Sequence, residues 1–63
     1  MHQYVGKTVK FEDGKSIKLH QIKHREDGDW AIFEINEGGA IPRRLSCNLY
    51  EFSQKFGKFF EDI

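Results

Sequence analysis

Three short stretches, EDGK at 12–15, EDGD at 26–29 and NEGGA at 36–40, place glycine just after acidic residues, one strand's length apart. Each is a turn signal, because glycine accepts the left-handed backbone that tight hairpins require. They exclude a long helix from the first two thirds of the chain. What remains there is four β-rich segments, roughly 7–12, 15–24, 29–36 and 40–45.

After residue 48 the period changes. In NLYEFSQKFGKFFEDI the apolar positions Leu49, Phe52, Phe56, Phe59, Phe60 and Ile63 form one stripe of an amphipathic helix, roughly 49–62. Asn48 fits the N-cap, Glu51 the third helical position of a capping box, and Cys47 with Phe52 a hydrophobic staple. Glu51 and Lys55 form a favourable i,i+4 pair. Gly57 opposes the pattern at about 1 kcal/mol relative to Ala. It is expected to mark close approach to the sheet or a break in the last turn. Strands followed by a helix predict an α+β domain, with a three- to four-stranded antiparallel β-hairpin meander and one C-terminal helix packed on one face.

Register follows from the side chains, since a one-residue slip swaps the faces. A two-residue Asp13-Gly14 turn would bury lysine. A three-residue loop, Glu12-Asp13-Gly14, with Gly14 left-handed, pairs Val9 with Ile17 and keeps the apolar residues together. For the second hairpin a two-residue Asp27-Gly28 turn predicts Ile22 opposite Phe33 and His24 opposite Ala31 on the core face. Arg25 then faces Trp30, and Lys23 faces Ile32, on the other. Apolar positions 17, 19 and 22 need a parity break near His20-Gln21, which a bulge supplies. The helix is expected to cover Val9, Phe11, Ile17, Leu19, Ile22, Phe33 and Ile35. Pro42 cannot donate to a ladder and belongs at an edge. A Gly38-Gly39 turn would pair Glu34 with Arg43 and Ile32 with Leu45.

A chain of 63 residues is expected to be one domain. Its core of about a dozen side chains limits stability to about 3–5 kcal/mol. Cys47 is the single cysteine, so no internal disulfide forms, which fits a reducing compartment. MHQYVGKTVK lacks the apolar run of a secretory signal, and no window approaches the roughly 18 apolar residues of a membrane span. The expectation is a cytoplasmic protein with no membrane partner.

Catalytic and metal chemistry find little support. His20 and His24 share a helical spacing, but on a strand they lie about 13 Å apart, too far for one zinc. Cys47 precedes a helix N-terminus, where the dipole can lower a thiol pKa, yet its place as a staple is the commoner use. Glu26, Asp27 and Asp29 sit in a turn without a cleft to shift them. Gly38-Gly39 lacks the lysine, hydroxyl and strand-to-helix setting of a phosphate loop. The chain reads as a non-enzyme with no metal and no cofactor.

The clue to function is DGDWAIFEIN, residues 27–36, where both alternating sets of side chains are apolar. One set serves the core; the other, Trp30 and Ile32, must serve something else. Total charge is zero, but residues 1–25 hold six basic side chains against two acids, and residues 26–37 hold five acids and no base. Cross-strand pairing can neutralise part of this. The second face is expected to carry Trp30, Ile32 and Leu45 among Lys10, Lys18, Lys23, Arg25 and Arg43.

An apolar, aromatic centre with a basic rim suits a protein partner, because interface hot spots favour Trp, Tyr and Arg. The expected partner-binding residues are Trp30, Ile32, Lys23, Arg25, Lys18 and Arg43, in a regulatory or inhibitory module of the kind frequent among small bacterial and phage proteins. Nucleic acid is the alternative, with Tyr4 and Tyr50 as added stacking rings; single-strand readers use several such rings. A third reading buries the face under the N-terminal segment, with Arg25 stacked on Trp30, or in a homodimer. The tail LSCNLYEFSQKFGKFF after WAIFEI also resembles the end of a superfamily of immunity-type domains, which close on a strand and a helix with a Glu-Phe pair. That resemblance covers about the last third of the chain.

Overall fold

The parity break is real. In the computed structural model, which describes residues 1–39 and 41–62, strand β2 (Ser16–Arg25) shifts its pairing with β3 (Gly28–Asn36) between Leu19 and Gln21. His20 is the extra residue. The bulge lets Ile17, Leu19 and Ile22 face one side despite their uneven spacing. With β1 (Thr8–Lys10) and β4 (Arg43–Asn48) these form a four-stranded antiparallel sheet in the order β1-β2-β3-β4. Helix α1 (Leu49–Glu61) packs against one face, which makes the protein α+β. Ala40 and Ile63, the first residue of the predicted fourth strand and the last of the predicted stripe, lie outside the described residues.

The first hairpin has the predicted three-residue loop. Val9 pairs with Ile17, Phe11 N donates to Lys15 O at 2.8 Å, and Gly14 has φ +85°. The second hairpin corrects the prediction. Its turn residues are Glu26 and Asp27, and Arg25 pairs with Gly28. An Asp27-Gly28 turn of the hairpin type needs positive φ at both residues, but among the described residues only glycines have it, and Asp27 does not. Glycine instead follows the turn at φ +119°, the i+3 position that type I turns favour. Hence Ile22 faces Ala31, His24 faces Asp29 and Lys23 faces Trp30. This slip is of two residues, so every side chain keeps its predicted face.

The fourth strand slips by one, and that does change faces. β4 starts after Pro42 at Arg43, pairing Phe33 with Leu45, Glu34 with Arg44 and Ile32 with Ser46. The predicted pairs Glu34–Arg43 and Ile32–Leu45 are overturned. Two demands fix the register: Leu45 and Cys47 pack on the core, and Asn48 must sit at the helix N-cap. There its Oδ1 accepts from Tyr50 N at 2.8 Å. Glu51 pairs with Lys55 at 3.0 Å.

Val9, Ile17, Leu19, Ala31 and Phe33 of the sheet and Phe52 and Phe60 of α1 form the buried core. Phe11, Ile22 and Ile35, expected fully under the helix, are half-buried around it. Phe33 meets Phe52 at 4.9 Å and Phe11 meets Phe59 edge-on at 5.1 Å, geometries that aromatic quadrupoles favour. The N-terminal turn, His2–Tyr4, closes this same side, with Tyr4 5.7 Å from Phe60. Gly57 neither breaks α1 nor touches the sheet. A Cβ there would meet only Ser53 Oγ at 3.4 Å and Met1 Sδ at 4.0 Å.

Candidate functional site

Strand alternation puts Trp30 and Ile32 on the face opposite α1. Neither packs on the core, and both are partly exposed. Register places Lys23 and Asn48 beside Trp30, Gln21 and Ser46 beside Ile32, and Lys18 and Arg44 on either side of Glu34. Thr8 and Lys10 extend the face on β1. The Arg25 guanidinium lies 5.2 Å from the Trp30 ring centroid. The indole Nε1 donates to Asp27 Oδ1 at 3.1 Å. These contacts fix the ring, since a cation over an aromatic face and a satisfied indole N–H each favour one rotamer.

Five of the six expected partner-binding residues, Trp30, Ile32, Lys18, Lys23 and Arg25, therefore share one face. Arg43 does not. It has the parity of Ile35 and Leu45, on the helix side, and donates to Glu37 Oε1 at 3.2 Å. Arg44 takes its place and bonds Glu34 Oε1 at 3.1 Å. Leu45 also leaves the face. The alternating pair Leu45 and Cys47, read backwards from the Asn48 cap, was the signal for this.

Glu34 is the one acidic side chain on the strands of this face. His20 Nε2, shielded from solvent, lies 3.0 Å from Glu34 Oε1, at ion-pair distance but off the line of a hydrogen bond. The His20 imidazole and then the Arg44 guanidinium hold the Glu34 carboxyl below the usual glutamate range. His24 is far from this group. It lies on the helix side, bonded to Asp29 at 2.6 Å and stacked on His2. Among the described residues no three His, Cys, Asp or Glu side chains are placed to hold a metal.

The expectation that Tyr4 or Tyr50 adds to the platform is not met. Tyr4 packs on Phe60, and Tyr50 projects from α1 beside a shallow open depression lined by Met1, Asp29, Leu49 and Ser53. The N-terminal segment, serving the helix side, leaves Trp30 uncovered. Burial pushes the Cys47 thiol up and Glu51 adds to the shift, outweighing Lys55 and the Phe52 N–H that points at its sulfur.

The fold and face together define a small α+β domain with one uncovered sheet face, aromatic at the centre and cationic around it. The chain matches no protein family, no curated protein and no solved structure. Among the described residues no helix is long and apolar enough to cross a membrane.

Proposed function

We propose that the protein is a non-catalytic protein-binding module, regulatory or inhibitory in role, acting through the sheet face opposite α1. One observation carries this reading: Trp30 and Ile32 lie side by side on a face that, among the described residues, no other element covers. Trp30, held by Arg25 and Asp27, is a pre-set apolar anchor, and preorganisation reduces what binding costs. Lys18, Lys23 and Arg25 orient the partner and speed encounter. A nucleic acid is the second reading, favoured by the excess of cations on the face. Against it stands the single aromatic ring of the face, where single-strand readers stack bases on several.

A photo-crosslinking side chain at Ile32, compared with one at Gln54 on exposed helix surface, tests the proposal in cells. Protein adducts specific to position 32 are expected. Nucleic-acid adducts there would favour the second reading. Identical labelling from both positions, or none, would remove the face as a binding site.

A further inference from the structure

The ion pairs of this molecule are unevenly distributed. Lys15, Arg43, Arg44 and Lys55 each lie within 4.0 Å of a carboxylate, at 3.5, 3.2, 3.1 and 3.0 Å. Among the described residues Lys7, Lys10, Lys18, Lys23, Arg25 and Lys58 have no such partner. Four of these six, Lys10, Lys18, Lys23 and Arg25, have the parity of the uncovered face, while Lys7 precedes β1 and Lys58 lies on α1. The whole chain is neutral, so its acids have gone elsewhere: to the turns, to α1 and to the pairs just named. The face thus keeps a net positive field around an apolar centre, although the protein has none overall.

We infer that the face takes a short acidic polypeptide segment bearing an apolar side chain. Its carboxylates pair with Lys18, Lys23 and Arg25, and its apolar side chain sits on Trp30 and Ile32. The inference rests on the binding reading above and names the chemistry of the partner. Size argues for a segment. Four strands about 4.8 Å apart and some six residues long offer a few hundred Å², below the roughly 800 Å² per side of a standard interface. Charge argues against a second copy, since two such faces brought together would oppose like charges. Stacking argues against single-stranded nucleic acid, because such readers stack successive bases on several rings. The strands of this face carry one, Trp30.

The test uses the intact protein and labelled synthetic peptides of fixed apolar content. Glutamate-rich, glutamine-rich and lysine-rich versions are compared with oligothymidine by fluorescence anisotropy. Binding of the glutamate peptide alone is expected. It should be lost in Trp30→Ala and weakened roughly tenfold in Lys23→Glu and Arg25→Glu, as for loss of an interfacial ion pair. Lys7→Glu, an exposed reversal outside the strands, should leave it unchanged. Circular dichroism confirms that each variant folds. Binding indifferent to peptide charge but lost in Trp30→Ala would overturn the acidic partner and leave the binding face intact. Preference for oligothymidine, with a log-linear fall in salt, would overturn it in favour of nucleic acid. No binding of any probe would overturn it as well, while crosslinking at position 32 still decides the broader reading.

Discussion

The two faces of one sheet are built to opposite rules. On the helix side, Leu19, Ala31, Phe33, Phe52 and Phe60 are at most 4% exposed, and the aromatic rings touch one another. On the other side Trp30 and Ile32 are half-buried without joining the core, Trp30 is touched by Arg25 and Asp27, and lysines without carboxylate partners stand around them. The same strand, β3, supplies both sets. It carries large apolar residues on either side, Phe33 and Ile35 on one and Trp30 and Ile32 on the other, so their presence alone cannot tell core from surface. What separates them is whether another element arrives to cover the face, and α1 and the N-terminal turn both choose one side.

The sharpest way to break this comparison is to truncate one large aromatic from each face. Phe52→Ala removes a fully buried ring and should cost about 3–5 kcal/mol, the whole stability expected of a domain this small. Thermal and urea melts should find it largely unfolded at room temperature. Trp30→Ala should cost only about 1 kcal/mol, the scale of a ring outside the core with one cation–π contact. Equal losses would mean that the Trp30 face is core after all.

A second pair tests the edge where the two faces meet. Leu45 faces Phe33 on the helix side, and its neighbour Ser46 is exposed beside Ile32. Leu45→Gln should destabilise by about 2 kcal/mol, while Ser46→Gln should stay within about 0.5 kcal/mol in urea titration. The reverse order would restore the rejected register.

That register also shows what could be read in the residues and what could not. The bulge at His20 was legible because Ile17, Leu19 and Ile22 cannot share a face without it. The Gly14 loop was legible because the alternative buried a lysine. The helix announced itself through its phenylalanine spacing and the Asn48 cap. The second turn was misplaced, since Asp-Gly fits two turn types that differ only in backbone sign. The site survived that error, because a two-residue slip preserves faces. The β3–β4 connection was less forgiving. Glycines, Pro42 and Ile41, which ends up 84% exposed, allow several loop lengths, and one residue of slip exchanged Arg43 for Arg44. The unpaired cations could not be read at all, because an ion pair depends on register and not on composition.

Gly57 sharpens the account of the covered face. It lies buried in α1 with ordinary van der Waals space for a methyl group, so neither close approach nor a positive φ requires glycine there. Gly57→Ala should raise stability by up to about 1 kcal/mol through the restored helix propensity, visible as a higher denaturation midpoint. Destabilisation would show that Ser53 and Met1 cannot yield the last few tenths of an ångström.

The smallest expected effect belongs to the open face and appears only in acid. Glu34 titrates below its ordinary value of 4.5 because His20 and Arg44 favour its charged form. A carboxyl whose folded pKa is depressed contributes stability that is fully present above the unfolded value. That contribution fades as pH falls through the folded one. Chemical denaturation of Glu34→Gln and the parent protein should therefore differ at neutral pH and converge on acidification below about pH 4.5. A constant difference across that range would mean that the ion pairs contribute nothing and the variant acts by shape alone. Convergence would carry a consequence for binding, because protonating Glu34 removes the one strand acid from the face and releases Arg44. The face then becomes more cationic in the same pH range in which the carboxylates of an acidic partner lose their charge, so binding should weaken through the partner while the face itself gains charge.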